Sequence, residues 1–235
     1  MLIPITFLLL GIYLRAYQLD RALGGGDENQ VLLEFAYTPI NYIVTTYSHG
    51  AGGHHVFHTI LLRIMILLFG EENAVAIRFP AFAAGIVCLL FIYKISREIF
   101  SSKIVARISL IVAVVCPVHI YYSQTARGYS FIMLFSVLAI YATIKLLKTD
   151  EFVRPGLLLL LSGFILVYTQ PISLIFIVGL ALWVLVVLAV PAFKEDFELH
   201  LKPVGKKFYQ FLSIFLFMGI SSVLAYWPLL PKMIK

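Results

Sequence analysis

Charge is what this sequence has least of. Only 13% of its 235 residues are Asp, Glu, Lys or Arg, against about 25% in a soluble domain. With 61% apolar residues and a mean hydropathy of +0.97, a water-soluble fold of this size could not cover itself, whereas in a bilayer the solvent is hydrocarbon. Cysteine is nearly absent. Cys88 and Cys116 both lie inside apolar runs, which excludes a disulfide scaffold and reads them as small core residues. No N-x-[ST] sequon occurs, so the chain offers no N-glycan acceptor. The N-terminal stretch lacks a basic n-region and a small-residue cleavage site, which makes residues 2–19 an uncleaved first span rather than a signal peptide. No internal repeat, no soluble domain and no nucleotide-binding glycine loop is evident. The net charge of +6 comes from short basic clusters between apolar runs, the pattern of cytoplasmic loops, and excludes nucleic acid as a partner.

What is present is a series of apolar runs. Spanning the hydrocarbon takes roughly 20 apolar residues, and the candidates are 2–19, 74–95, 104–122 and 129–147. The block 156–190 is unbroken and, as one helix, would be about 52 Å long against a ~30 Å core. It must therefore fold back. Gln170-Pro171 is the natural break, giving spans 155–169 and 171–190, and the last span is 211–230, closed by Trp227-Pro228 and Pro231. Tyr122, Tyr129, Tyr168 and Trp227 fit an interfacial belt. The predicted fold is thus all-α: a polytopic transmembrane helix bundle of about seven spans with interfacial helices in the first outer loop, residues 20–69. Residues 55–69 are apolar but short, and His55, Thr59 and Arg63, with His58 beside them, fall on one helical face. Such a helix is expected to lie at the interface rather than to cross it.

Three loops hold 11 of the 18 basic residues. They carry Lys94, Arg97, Lys103 and Arg107; Lys145, Lys148 and Arg154; and Lys194, Lys202, Lys206 and Lys207. All lie on one side of a seven-span chain, so that side is predicted to be cytoplasmic, with the N-terminus inside and the 20–69 loop and 122–129 turn outside. A rival with eight spans, in which 55–69 crosses and the N-terminus is outside, fits the charges nearly as well.

Chemistry has three candidate locations. GGGDENQ, residues 24–30, joins a backbone free to approach a ligand to two adjacent acids. From that stretch alone the better reading is Asp27 capping a helix that starts near Glu28; the alternative is a general base at the membrane surface. The outward turn CPVHIYYSQTARGY, residues 116–129, carries Arg127, which suits either a specific phosphate or lipid headgroups. Arg78 has the same ambiguity, and an ionisable residue at such depth is a functional candidate. His54, His55 and His58 have helical spacing for a metal, but no Cys or acid lies nearby as a third ligand, so contact with headgroups or substrate is the expectation.

Taken in order, these segments resemble the N-terminal half of a GT-C-fold glycosyltransferase of the dolichyl-phosphate-mannose-protein mannosyltransferase and aminoarabinose-transferase superfamily. The resemblance rests on LRAYQLD, Asp27-Glu28, HHVFHTILLRIMILLFG, AIRFPAFAAG and PVHIYYSQTARGYS in that order. It implies a seven-span module with the catalytic acid in the first outer loop. By that resemblance Asp27 is the general base, and Glu28 holds the loop or the acceptor. Arg127, with Arg78 and His55, stabilises a lipid-phosphate leaving group, and Tyr129 and Gln124 line the same pocket. His58 completes the substrate-binding set. The donor implied is a polyprenyl-phosphate sugar, the acceptor a protein, lipid or glycan, and no metal or other cofactor is required. The expected location is the cell membrane with the active face extracytoplasmic. The family usually continues with further spans, so 1–235 is expected to be one transmembrane module without that C-terminal portion. The alternatives are a non-catalytic subunit pairing with a separate C-terminal half and, last, a lipid or solute transporter, whose midplane should carry broken helices or ionisable groups. The glycines before Asp27 depart from the family's bulky residues.

Overall fold

The computed structural model describes residues 2–46, 55–190 and 204–229. His54, Lys194, Lys202 and Pro231, named above, lie outside them. Every regular element among the described residues is helical. They run α1 (Leu2–Ala16), α2 (Gly26–Val31), a π-turn over Leu32–Ala36, α3 (Ile40–Thr45), α4 (Val56–Phe69), α5 (Ala74–Phe100), α6 (Lys103–Val115), α7 (Pro117–Ser123), α8 (Tyr129–Lys148) and α9 (Val153–Thr169). A 3-10 turn over Pro171–Ser173 leads into α10 (Leu174–Ala189), and α11 (Val204–Tyr226) closes the series.

Local sequence explains the boundaries. Asn73 caps α5 by accepting from the Ala76 N–H (3.0 Å), and Ser102 caps α6 by accepting from the Val105 N–H (3.3 Å), as short polar side chains do at helix starts. Gln170 is extended ahead of Pro171, so the long apolar block folds back where expected. The run 104–122, read as a single span, is instead two helices bent by 60° at Cys116-Pro117. Pro117 has no N–H for the Ala113 carbonyl. Among the described residues four helices are long and apolar enough to cross a membrane, and the bent pair makes a fifth. α1 and α9 are apolar but shorter. At 14 residues, α4 is about 21 Å long, short of the hydrocarbon thickness.

The helices pack side by side. α8 is central, between α5 and α9; α5 carries α6 and α1 on its far side, and α9 carries α11 on the other. Small residues sit at the tight contacts, as in membrane bundles generally. A Cβ on Gly163 of α9 would overlap the Met218 side chain of α11, and one on Gly85 of α5 would overlap Ser123 of α7.

The two ends of the bundle differ in chemistry. At one, which we call the lysine end, Lys145 pairs with Glu98 (2.7 Å), Lys148 donates to the Glu98 carbonyl (2.8 Å), and Lys207 donates to the carbonyls of Leu146 and Thr149. Cations there meet the C-terminal carbonyls of α5 and α8, where the helix dipoles are negative. These contacts bring residues of all three basic loops to one end. The other, the loop end, gathers residues 17–46, α4 and the turn after α7. There Val31, Leu32, Leu62, Ile66, Ile77 and Ala126 form a separate small core.

Candidate functional site

The loop end is built around Glu28. Gly24, Gly25 and Gly26 have φ of 124°, 99° and 53°, and a Cβ at any of them would meet nothing within 4 Å. It is the left-handed backbone, not space, that requires glycine here. This backbone starts α2 at Gly26, with Gly25 as its N-cap and no side-chain capping bond. The capping role considered for Asp27 is therefore incorrect: Asp27 and Glu28 both lie inside the first turn, adjacent to the positive end of the helix dipole. Successive helical residues point about 100° apart, and the two acids part company.

Glu28 turns inward and is 5% exposed. Its Oε1 accepts from Arg78 Nε (2.9 Å) and the Ala126 N–H (2.8 Å); Oε2 accepts from Arg78 Nη2 (2.7 Å) and, at longer range, the Gly24 N–H (3.4 Å). Arg78 also donates through Nη1 to the carbonyls of Leu19 (2.9 Å) and Arg21 (2.5 Å) and through Nη2 to that of Ala22 (3.1 Å). A guanidinium has five N–H donors, and all five of Arg78 are engaged. The phosphate-binding role expected of Arg78 has no donor left to carry it. Glu28 likewise has both oxygens engaged within the loop end. Burial by itself would raise the Glu28 carboxyl; the Arg78 bonds and the Ala126 N–H outweigh it and hold the group below its ordinary 4.5.

Asp27 turns outward, its side chain 53% exposed. Its Oδ2 lies 3.4 Å from Arg127 Nη2, and Arg127 Nη1 also donates to the Asp27 carbonyl (3.4 Å). Arg127 itself is 3% exposed, and its guanidinium stands 5.5 Å over the Tyr129 ring. Tyr129 in turn meets Tyr122 at 4.4 Å and the edge of His55 at 4.8 Å. The Gly128 N–H donates to His55 Nδ1 (2.8 Å), which leaves the ring proton on Nε2. A Cβ on Gly128 would come within 2.8 Å of that Nδ1, so glycine is required by the approach. Asp27, Arg127, Tyr129 and His55 thus form one cluster of an exposed carboxylate over a buried cation.

Gln124 stands apart from that cluster, and His58 lies close enough for the Arg127 charge to act on its ring. Gln124 uses Nε2 to donate to the carbonyls of Leu14 (2.9 Å) and Tyr17 (2.8 Å), tying the turn to the end of α1. His58 is fully buried beside Phe131, and neither ring nitrogen has a hydrogen-bond partner among the described residues. The polar stripe of α4 faces the protein: His55, His58 and Thr59 are at most 1% exposed, while Leu67, Leu68 and Phe69 are more than half exposed. Of the expected contacts with headgroups or substrate, the burial of His55 and His58 leaves none with headgroups. They turn inward because the Gly128 N–H and the Tyr129 and Phe131 rings are there to receive them. Among the described residues no three His, Cys, Asp or Glu side chains stand together to hold a metal.

Residues 54–201 match the dolichyl-phosphate-mannose-protein mannosyltransferase family, more than half of the chain. The protein belongs to this family. It is a multi-pass membrane glycosyltransferase of the GT-C type. No curated protein and no solved structure matches it. The mannosyltransferase match takes in His55, His58, Arg78, Gln124, Arg127 and Tyr129 but not Asp27 or Glu28, whose roles rest on their geometry. Two buried residues escaped the sequence reading: Arg15 near the end of α1, fully buried, and His119 on α7, 6% exposed. The signal for the first was Pro117, which frees a carbonyl that a lone arginine can take.

Proposed function

We propose that the chain transfers a sugar from a polyprenyl-phosphate donor to an acceptor hydroxyl or amine on the extracytoplasmic face, with inversion at the anomeric carbon. The observation that carries this reading is the half-exposed Asp27 carboxylate above the buried Arg127 guanidinium, at the end of the bundle opposite the lysines. The acceptor oxygen or nitrogen attacks the sugar carbon and loses its proton to Asp27. The bond from that carbon to the phosphate oxygen breaks, and its electron pair leaves with the lipid monophosphate. Arg127, with His55 Nε2–H, stabilises the charge growing on that oxygen. Tyr129 walls the pocket. Glu28, Arg78 and Gln124 act by holding the loop, α1 and the 124–127 turn in register. A single displacement with one base fits a cluster that holds one acid, and a lipid monophosphate calls for no obligatory metal. Residues 1–235 act in this reading as one transmembrane module with its catalytic loop at 20–69, the lysine end cytoplasmic by the positive-inside bias.

The test is transfer by the protein in proteoliposomes, supplied either with a polyprenyl-phosphate hexose or with the matching nucleotide sugar. Transfer from the lipid donor alone, unchanged by a chelator, is expected. Transfer from the nucleotide sugar, or abolition by the chelator, would overturn the donor and cofactor assignments.

A further inference from the structure

At the lysine end a crevice of about 250 Å³ lies between the last turns of α8 and the start of α9. Its lining includes Tyr141, Lys145, Thr149, Glu151, Arg154 and Leu158. These residues are ordered by depth. Tyr141 lies one turn further into the bundle along α8 than Lys145, and Leu158 one turn further along α9 than Arg154. The crevice is therefore apolar on its hydrocarbon side and charged on the side of the headgroups. Its frame is tied down. Lys207 on α11 donates to the carbonyls of Leu146 and Thr149, and Thr149 Oγ1 donates to the Lys145 carbonyl (2.9 Å).

Positive charge is in excess around it. Lys145 meets Glu98 of α5 at 2.7 Å, and Lys148 donates to the Glu98 carbonyl. Lys94 of α5 stands 4.6 Å over the Phe91 ring, which meets Tyr141 edge-on at 5.6 Å. With Arg154 and Lys207, five cations border the crevice, against the carboxylates of Glu98, Asp150 and Glu151. Two of the cations keep donors to spare. The Lys145 ammonium has three N–H groups and gives one to Glu98. Arg154 meets Glu151 only through Nε, at 3.5 Å, and its side chain is 90% exposed, which leaves the two Nη groups to grip an anion as a fork.

These features select an occupant. A phosphodiester uses the spare donors of both cations and offsets the excess charge. A soluble phosphate would leave the apolar walls of Tyr141 and Leu158 unused, whereas a lipid covers them with the first carbons of its chains. A choline or ethanolamine headgroup would bring a further cation to a place already rich in them. We propose that this crevice binds the headgroup of an anionic phospholipid, with its phosphodiester between Lys145 and Arg154 and its chains leaving past Tyr141 and Leu158. Basic pockets between transmembrane helices suit such headgroups. The bound lipid bridges α8 and α9 at the end of the bundle away from Asp27.

The experiment is thermal unfolding of the full chain in a maltoside detergent, titrated with phosphatidylglycerol or with phosphatidylcholine of identical chains. Phosphatidylglycerol is expected to raise the midpoint by a few degrees more than phosphatidylcholine. Arg154→Gln should require about five-fold more phosphatidylglycerol for half of that shift. Lys103→Gln loses the same charge at the same end, on α6 across α5 from the crevice, and should leave the titration within about two-fold of the wild type. Equal shifts from the two lipids would overturn the proposal, and so would equal losses in the two variants, which would make the attraction a diffuse one. A shift from inorganic phosphate alone, or a preference for polyprenyl phosphate over phosphatidylglycerol, would give the crevice to a free anion or to the sugar donor instead. Should Arg154→Gln fail to fold, Lys94→Gln takes its place with a loss in the same direction expected, and no loss in that variant would overturn the proposal.

Discussion

Two carboxylates one residue apart lead opposite lives at the loop end. Glu28 is buried and accepts four hydrogen bonds, with Arg78 spending all its donors on it and on three carbonyls. Asp27 is half-exposed and meets Arg127 only at 3.4 Å. The first pair is closed, short and saturated, as a joint between α1, α2, α5 and the 124–127 turn must be. The second is long and open on one side, as a reacting pair must be if acceptor and leaving group are to come between base and cation. What separates the pairs is orientation about one helical turn, fixed by three glycines in left-handed backbone.

The contrast breaks most severely at Arg78. Arg78→Gln leaves Glu28 buried with a lost charge partner, which costs about 3–5 kcal/mol; the variant is expected to melt roughly 10 °C below the wild type in detergent or not to accumulate. A melting point within a degree or two of wild type would contradict the closed-joint reading. In the proposed mechanism Arg127→Gln removes stabilisation of the leaving group, so it should lower transfer by about 100-fold or more with a much smaller change in melting than Arg78→Gln. Near-equal losses of stability in the two variants would erase the distinction between them.

Acid sharpens the comparison. Glu28 has its carboxyl depressed in the folded protein, so its contribution to stability is complete at neutral pH and is lost as pH falls through the folded value, below 4.5. The melting point of the wild type should hold from pH 7 to about 5 and then fall, and Glu28→Gln should flatten that fall. An acid-induced fall unchanged in that variant would assign it to other groups. The smallest effect is expected at Gln124. Gln124→Ala frees two carbonyls at the end of α1 and should cost about 1 kcal/mol, with transfer reduced only as far as the turn loosens. A larger loss of transfer than Arg127→Gln gives would return Gln124 to the substrate pocket.

Much of the architecture was legible because proline and short polar residues act locally. Pro171 ended α9 where an overlong apolar block had to turn, and α5 begins at Ala74, where the apolar run was read to start. Pro117 was as legible in principle, but apolar residues run straight through it and the span read as unbroken. The candidate site was legible as a set of residues and not as an arrangement. Nothing between Gly24 and Gln30 tells which acid is buried, since that depends on Arg78, fifty positions away. For the same reason the stripe of His55, His58 and Thr59 read as a face toward headgroups or substrate, when His55 and His58 meet Gly128, Tyr129 and Phe131 at the start of α8. Arg15 was missed because its acceptors are carbonyls, which side-chain patterns do not display.

The central claim is that Asp27 carries the chemistry while Glu28 carries the structure. Its most direct test is the rate of sugar transfer from a polyprenyl-phosphate donor by Asp27→Asn, per folded molecule in proteoliposomes, with the melting point taken on the same sample. The account predicts transfer lowered by at least about 100-fold with the melting point essentially that of the wild type. Transfer near the wild-type rate by a normally folded Asp27→Asn protein would contradict it.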